Sequence, residues 1–268
     1  MLGRMKAAPD PVVSVLIPAY RAEETILRAI HSLLAGGNGA VPTEILVEAD
    51  DDNGYDAAAA LPGVNVQRTG AVRSGVGAAR NRALARARGE WVACVDADDA
   101  VDADFLPALL AAAGQGAAAF ARTAIWQGGR CLGVLGAERL TWEAAGRHGA
   151  SWRGIVRRER CPPFVNDLSQ DILHLAEVML RQGALPMTGT RYHLHLGRES
   201  VTAGADFAER VDAAYLRHQA HLTRHYADAA DLDHALTLFD RKRALNAAYR
   251  ARGAGRSYYD FVLAEGTI

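Results

Sequence analysis

The chain has 268 residues, half of them hydrophobic, with 23% charged residues and a formal net charge of -1. That length supports one large α/β domain, or a domain with a small appendage. The balanced charge gives no global basic excess to attract nucleic acid or an anionic membrane. Three scattered cysteines, Cys94, Cys131 and Cys161, form no Cys-x-x-Cys pair, which argues against a disulfide framework or a structural zinc site. No apolar run approaches the roughly 20 residues that cross a bilayer. Arg4 and Lys6 are not followed by a signal-peptide core. The expectation is a soluble, cytoplasmic protein, with peripheral contact at the inner face of a membrane left open.

Residues 1–11 read as a loose tail. Val12-Val13-Ser14-Val15-Leu16-Ile17, stopped by Pro18, predicts a buried parallel strand. Ile26, Ala29, Ile30, Leu33 and Leu34 then recur at helical spacing up to Gly36 and Gly37. Glu44-Ile45-Leu46-Val47 predicts a second strand that runs into the turn Asp50-Asp51-Asp52-Asn53-Gly54. Val64-Asn65-Val66 is a third strand, and Ala78 to Arg88 a helix. Trp91 to Val95 is a fourth strand running straight into Asp96. Asp102 reads as the N-cap of a helix that carries Phe105, Leu106, Leu109 and Leu110.

The second half changes character. Ala117 to Ile125 and Cys131 to Leu135 read as strands of a mixed sheet. Asp171 to Arg181 reads as a helix closed by Gly183, and Arg191 to Leu196 as a strand. From Asp206 the pattern is helical to about Arg252, with a break near Asp228 to Asp231.

Alternating strands and helices over the first half predict a parallel sheet with crossover helices. Ligands bind such sheets at the carboxyl ends of the strands. Three polar clusters fall there: Pro18-Ala19-Tyr20-Arg21, Asp50 to Asn53, and Asp96 to Asp99. In the last, Asp96, Asp98 and Asp99 would repel one another unless a cation sits among them. Hard divalent cations such as Mn²⁺ or Mg²⁺ take oxygen ligands and keep room for phosphate oxygens. An acidic loop capping the next helix is the plainer reading of the same residues.

Four motifs in order carry a resemblance. Val13-Ser14-Val15-Leu16-Ile17-Pro18-Ala19-Tyr20 resembles the opening strand of the family 2 glycosyltransferases. Glu44 to Asp51 is similar to their second strand, Gly77-Ala78-Ala79-Arg80-Asn81 with Ala87 to Val92 to their next helix and strand, and Val95-Asp96-Ala97-Asp98-Asp99 to their metal motif. The resemblance covers about Val12 to Leu110. It implies a GT-A fold: a Rossmann-like mixed sheet flanked by helices, with a nucleotide-sugar half over 12–122, an acceptor half over 123–202 and a helical extension over 203–268. It implies that Pro18, Ala19 and Tyr20 line the base or ribose pocket and that Asp50 hydrogen-bonds the donor base. Arg80 would approach the nucleotide, Asp96 and Asp98 the donor, and Asp98 with Asp99 the metal. Arg21 stands where the family often has Asn, and Ala49 replaces the first of two usual aspartates. Both bear on base preference.

The family's catalytic base is an aspartate, usually after a glutamate, opening a helix that ends at a glycine. Asp171 matches it, with Gln170 in place of the glutamate and Gly183 at the end. A plain N-cap role for Asp171 and a competing base at Asp167 stay open. Tyr192 to Thr202 resembles the family's closing strand and Ser-Val-Thr segment.

His193 and His195 share one face of a strand, where ordinary hydrogen bonding is the first expectation and a late metal-ligand histidine, as in some other GT-A families, the alternative. His218, His221 and His225 share a helical face, which reads as a solvated surface or a subunit contact more than as a metal site. Gly75-Val76-Gly77 lacks the third glycine of a dinucleotide fingerprint. Arg73 and Arg80 beside it read as diphosphate or base contacts.

The expected activity is metal-dependent transfer of a sugar, with inversion, from a nucleotide-sugar donor to a carbohydrate or lipid-linked acceptor, with a homodimer left open. A sugar nucleotidyltransferase is disfavoured, because Pro18 to Glu24 is not a Gly-rich, Lys-containing loop. A non-catalytic nucleotide-binding module is the remaining alternative.

Overall fold

The computed structural model describes residues 10–68, 72–147, 152–197, 206–253 and 255–265. The first strand, β1 (Val13–Ala19), is almost wholly buried because both faces are covered, which is why it reads as a continuous apolar run. It pairs in parallel with β2 (Thr43–Ala49), which pairs in parallel with β3 (Val64–Arg68). On its other side β1 pairs in parallel with β4 (Trp91–Cys94). The crossovers are α1 (Ile26–Leu34), the short α2 (Asp56–Ala59) and α3 (Val76–Arg86). Ile26, Ala29, Ile30 and Leu33 of α1 are buried, the stripe expected from their spacing.

After β4 come the two-residue β5 (Ala100–Val101) and α4 (Phe105–Ala113). The sheet then turns mixed. β6 (Ala118–Gln127) and β7 (Arg130–Leu135) form a hairpin. The short β8 (Arg139–Leu140) and α5 (Trp142–Arg147) follow. β9 (Gly154–Arg157) inserts antiparallel between β4 and β6. α6 (Gln170–Gln182) leads to β10 (Leu185–Leu196), which runs parallel to β6 and antiparallel to β5. The strand order is β3-β2-β1-β4-β9-β6-β10-β5.

α7 (Phe207–His225), α8 (Leu232–Arg252) and α9 (Tyr258–Glu265) complete the described chain. They share one apolar core with β6, β9 and α6, built on residues such as Phe120, Leu173, Val211, Phe239 and Val262. None of the described helices is long and apolar enough to cross a membrane.

Three differences from the sequence reading have physical causes. Asp102 does not cap α4; Asp104 holds that position, and the Asp102 carboxylate turns to β10, where it takes Arg191 Nε at 2.9 Å. β10 begins six residues before the expected Arg191, but a register shift against β6 between Met187 and Arg191 breaks the alternation that would reveal it. β9 spans four residues and α5 six, too short for any periodicity to register. The Ser200-Val201-Thr202 segment and the boundary at 202 lie outside the described residues.

Candidate active site

The parallel pairing brings the ends of β1, β2 and β4 to one edge, and each end is fixed by hydrogen bonds. At the end of β2, Asp50 is 4% exposed. Its carboxylate accepts the backbone N–H groups of Ser74 at 3.0 Å and Gly75 at 2.9 Å, the Ser74 hydroxyl, and Arg82 Nη2 at 3.1 Å. Burial would raise its pKa, but the Ser74 hydroxyl and the Gly75 and Ser74 amides hold it below the usual range. Asp50 therefore anchors the loop that enters α3. The helix itself lies tight against the chain ahead of α6: a Cβ on Gly77 would sit 2.1 Å from the Val165 carbonyl oxygen.

At the end of β1, Ala19 is buried and Tyr20 is 41% exposed. Pro18 lies in the strand opposite Glu48. Arg21 and Arg73 flank the Tyr20 ring, 5.3 and 5.8 Å from its centroid, and Arg73 Nε donates to the phenol oxygen at 2.6 Å. Both arginines have positive φ, 51° and 59°. Such backbone costs energy and persists only where the surroundings impose it. Here the Arg21 N–H donates to Asp51 Oδ2, and the Arg73 N–H to the Asp50 carbonyl at 2.8 Å.

Beyond β4 lies the acidic turn. Asp96 is held between two guanidiniums, Arg80 of α3 on Oδ1 and Arg153 Nη2 on Oδ2 at 2.6 Å. Burial would raise the Asp96 pKa, but the charges of Arg153 and Arg80 hold it well below the carboxylate range. Asp98 is exposed to solvent, yet crowding by protein atoms and the Asp96 charge raise its pKa. Asp99 is 1% exposed. It accepts the Tyr192 hydroxyl at 2.5 Å and the His195 N–H at 2.8 Å, and burial with the Asp98 and Asp96 charges raises its pKa well above normal.

Proton uptake is thus favoured at Asp98 and Asp99, which is the electrostatic situation a divalent cation relieves. Among the described residues no three His, Cys, Asp or Glu side chains converge on one point. An all-protein cage is therefore absent there. Asp98 is exposed, whereas both oxygens of Asp99 accept hydrogen bonds from Tyr192 and His195; a hard cation at this turn would share its coordination with water and phosphate.

Arg80 is buried and meets the turn through Asp96. On the far side of the turn, Asp171 sits in the first turn of α6 with Arg153 Nη1 on its Oδ2 at 2.9 Å. Ser169 occupies the N-cap position. Asp167, the competing base, has both carboxylate oxygens on Arg217 of α7, at 2.7 Å each, and faces that helix. Asp171 and the Asp96 turn are thereby brought together through one guanidinium, and Asp167 is drawn away.

Arg153 and Tyr192 are the site residues that sequence reasoning missed. Arg153 stands in a stretch with no periodic signal. Tyr192 carries no sequence signal beyond its place in a strand.

The histidines take structural positions. His193 Nδ1 accepts the Trp126 N–H at 2.8 Å, and its Nε2 faces Asp102 Oδ1 at 2.7 Å, which assigns the neutral tautomer protonated on Nε2. His195 stacks on Trp126, with ring centroids 6.0 Å apart. Burial, and after it the charge of Arg28, lower its pKa to about 4. On the His218, His221 and His225 face, His218 is buried and its Nε2 meets the Leu168 carbonyl at 2.8 Å, His221 Nε2 meets Glu177 of α6 at 3.0 Å, and His225 is exposed.

His174, one turn after Asp171, stacks flat on Phe164 with centroids 4.2 Å apart. Burial lowers its pKa to about 3, Arg80 adds to the effect and Asp171 opposes it. The folded value lies below the unfolded one of about 6.5. The unfolded chain therefore takes up this proton first, and stability falls as pH drops from about 6.5 toward 3. His174→Phe is expected to keep the stack and flatten that fall. Melting temperatures measured at pH 7 and pH 4.5 check it: an unchanged pH dependence would show that His174 does not carry it.

A family model, "Glycosyl transferase family 2", matches residues 14–139. The succinoglycan biosynthesis protein ExoO of Rhizobium meliloti (strain 1021) is 36% identical over 97 residues, 36% of this chain and 28% of that protein. The match therefore spans under a third of that relative's length. Among solved structures, S. aureus TarS 1-349 aligns with a TM-score of 0.65 and 18% identity, over 91% of this chain and 73% of that one. The same protein in complex with UDP-GlcNAc aligns with a TM-score of 0.61 and 17% identity, over 95% and 90% of the two chains. The fold is GT-A, as the sequence reading expected.

Proposed function

We propose that the chain, whose residues 14–139 match the model "Glycosyl transferase family 2", acts as a member of that family and transfers a sugar, with inversion, from a UDP-sugar to a hydroxyl of a carbohydrate or lipid-linked acceptor. The observation that carries this reading is the pairing of the Asp96–Asp99 turn with Asp171 through Arg153. The turn supplies a donor-side cluster of carboxylates, and Asp171 supplies an acceptor-side one. The ExoO match supports polysaccharide biosynthesis as the setting. The UDP and UDP-GlcNAc complexes of TarS support the choice of donor.

Each residue has a task in this reading. Tyr20, steered by Arg21 and Arg73, presents an aromatic face to the nucleoside, with Pro18 and Ala19 forming the floor. Asp50 acts by fixing the Ser74–Gly75 loop beside it. Asp98 and Asp99 would hold Mn²⁺ or Mg²⁺, which when bound neutralises charge on the departing diphosphate. Arg80 keeps Asp96 in place and ionised. As the acceptor oxygen forms its bond to the anomeric carbon, the bond to the diphosphate breaks and the acceptor proton passes to the Asp171 carboxylate. A single displacement of this kind inverts the anomeric centre.

The experiment is a panel of UDP-sugars with Mn²⁺ and an acceptor mixture, with UDP release followed and the product anomer assigned by NMR. UDP release with an inverted product supports the reading. Binding of UDP with no turnover of any donor, hydrolysis included, would favour a non-catalytic nucleotide-binding module.

A further inference from the structure

We propose that Arg153 is a positioning residue that ties the acceptor-side carboxylate Asp171 to the donor-side turn at Asp96, an inference that rests on reading Asp171 as the base. The side chain is buried, 6% exposed, and its two terminal nitrogens are divided between the two sites: Nη1 to Asp171 Oδ2 at 2.9 Å, Nη2 to Asp96 Oδ2 at 2.6 Å. The guanidinium carbon also lies 5.4 Å from the Tyr192 ring centroid, and Tyr192 donates to Asp99. One planar group therefore touches the turn after β4, the first turn of α6 and strand β10.

Fold maintenance alone does not account for this arrangement. Asp96 has a second buried counter-charge in Arg80 on its other oxygen, so Arg153 shares its neutralisation and has its other nitrogen free for Asp171. What Arg153 adds is a fixed spacing between Asp96 and Asp171. A guanidinium can do this because its donors are held in a rigid fork, whereas an ammonium is a single point of charge. The backbone that carries it is equally fixed. The Arg153 carbonyl accepts the Ala121 N–H at 2.9 Å, and a Cβ on the next residue, Gly154, would lie 2.1 Å from the Ala119 carbonyl oxygen. β9 is thus seated on β6 with no slack, which is what precise placement of a reacting carboxylate requires.

The other groups whose charge acts with that of Asp171 are Arg80 of α3, Cys94 of β4, His174 on its own helix, Tyr215 and His218 of α7, Lys242 of α8 and Tyr259 of α9. Arg153 makes a direct ion pair with Asp171, at 2.9 Å.

The test uses the full chain with Arg153→Met and Arg153→Lys. The Asp171 carboxyl is titrated by NMR on ¹³C-aspartate-labelled protein, its resonance assigned with Asp171→Asn. Removing the guanidinium is expected to raise the Asp171 midpoint by about 1 unit or more in Arg153→Met, with Arg153→Lys intermediate. The acid limb of the kcat/KM profile should move with it. In Arg153→Lys, which keeps a buried positive charge, kcat should fall about tenfold or more with UDP affinity held, the signature of lost positioning rather than lost folding. A folded Arg153→Met with an unmoved Asp171 midpoint would overturn the proposal. So would parallel losses of kcat and UDP affinity in Arg153→Lys. A midpoint that moves while the acid limb stays still would instead overturn Asp171 as the base, and because the NMR titration needs no turnover, the two failures are distinguishable.

Discussion

Asp171→Asn is expected to lower turnover by about 10²- to 10⁴-fold, the range for loss of a positioned general base, while leaving UDP affinity close to that of the unaltered protein. The asparagine has the carboxylate's shape and keeps an oxygen for Arg153 Nη1, so the geometry around Asp96 survives. It cannot accept a proton from an attacking hydroxyl. The effect should therefore fall on kcat and spare donor binding, since Asp171 lies across Arg153 from the turn. Steady-state UDP release together with calorimetric UDP titration separates the two. Unchanged kcat would remove Asp171 from the mechanism. Asp167→Asn should have little effect on chemistry, because that carboxylate is committed to Arg217 of α7.

Arg80→Met should be the most destabilising single change at the site. Arg80 is among the largest fully buried side chains, and it holds one oxygen of Asp96. Removing one partner of a buried ion pair leaves an uncompensated charge, a loss of about 3–5 kcal/mol. Arg153 remains on the other oxygen of Asp96, so the lower end of that range is expected. For a chain of this size each kcal/mol lowers the melting temperature by about 2–4 °C. Thermal denaturation reads it directly. A loss below about 1 kcal/mol would mean that solvent and Arg153 suffice to compensate Asp96 and that the pair is not the anchor described here.

The half of the molecule legible from sequence was the half whose strands are buried on both faces. β1, β2 and β4 announce themselves as continuous apolar runs, and their polar ends place Tyr20, Asp50 and the Asp96 turn at one sheet edge. The rest depends on non-local pairing. Arg153 reaches Asp96 only because β9 inserts between β4 and β6, and four residues carry no period from which to foresee that. Tyr192 reaches Asp99 only because β10 returns beside β6. Asp102 was a sound N-cap by spacing, but Arg191 and His193 across the sheet offered its carboxylate charged and ring N–H donors instead. The detail of Asp50 was out of reach for the same reason: its partners Ser74, Gly75 and Arg82 lie more than twenty residues away.

The central claim is a donor site at the turn after β4 that binds a nucleoside diphosphate together with a divalent cation. Calorimetric titration of UDP with and without Mn²⁺, on the unaltered chain and on Asp98→Ala, tests it most directly. Asp98 is the better position to alter because it is exposed, whereas Asp99 is packed against Tyr192 and His195. The account predicts UDP binding that requires Mn²⁺ and is lost in Asp98→Ala with the melting temperature unchanged. UDP binding that ignores both the metal and the substitution, or no UDP binding at all, would contradict it.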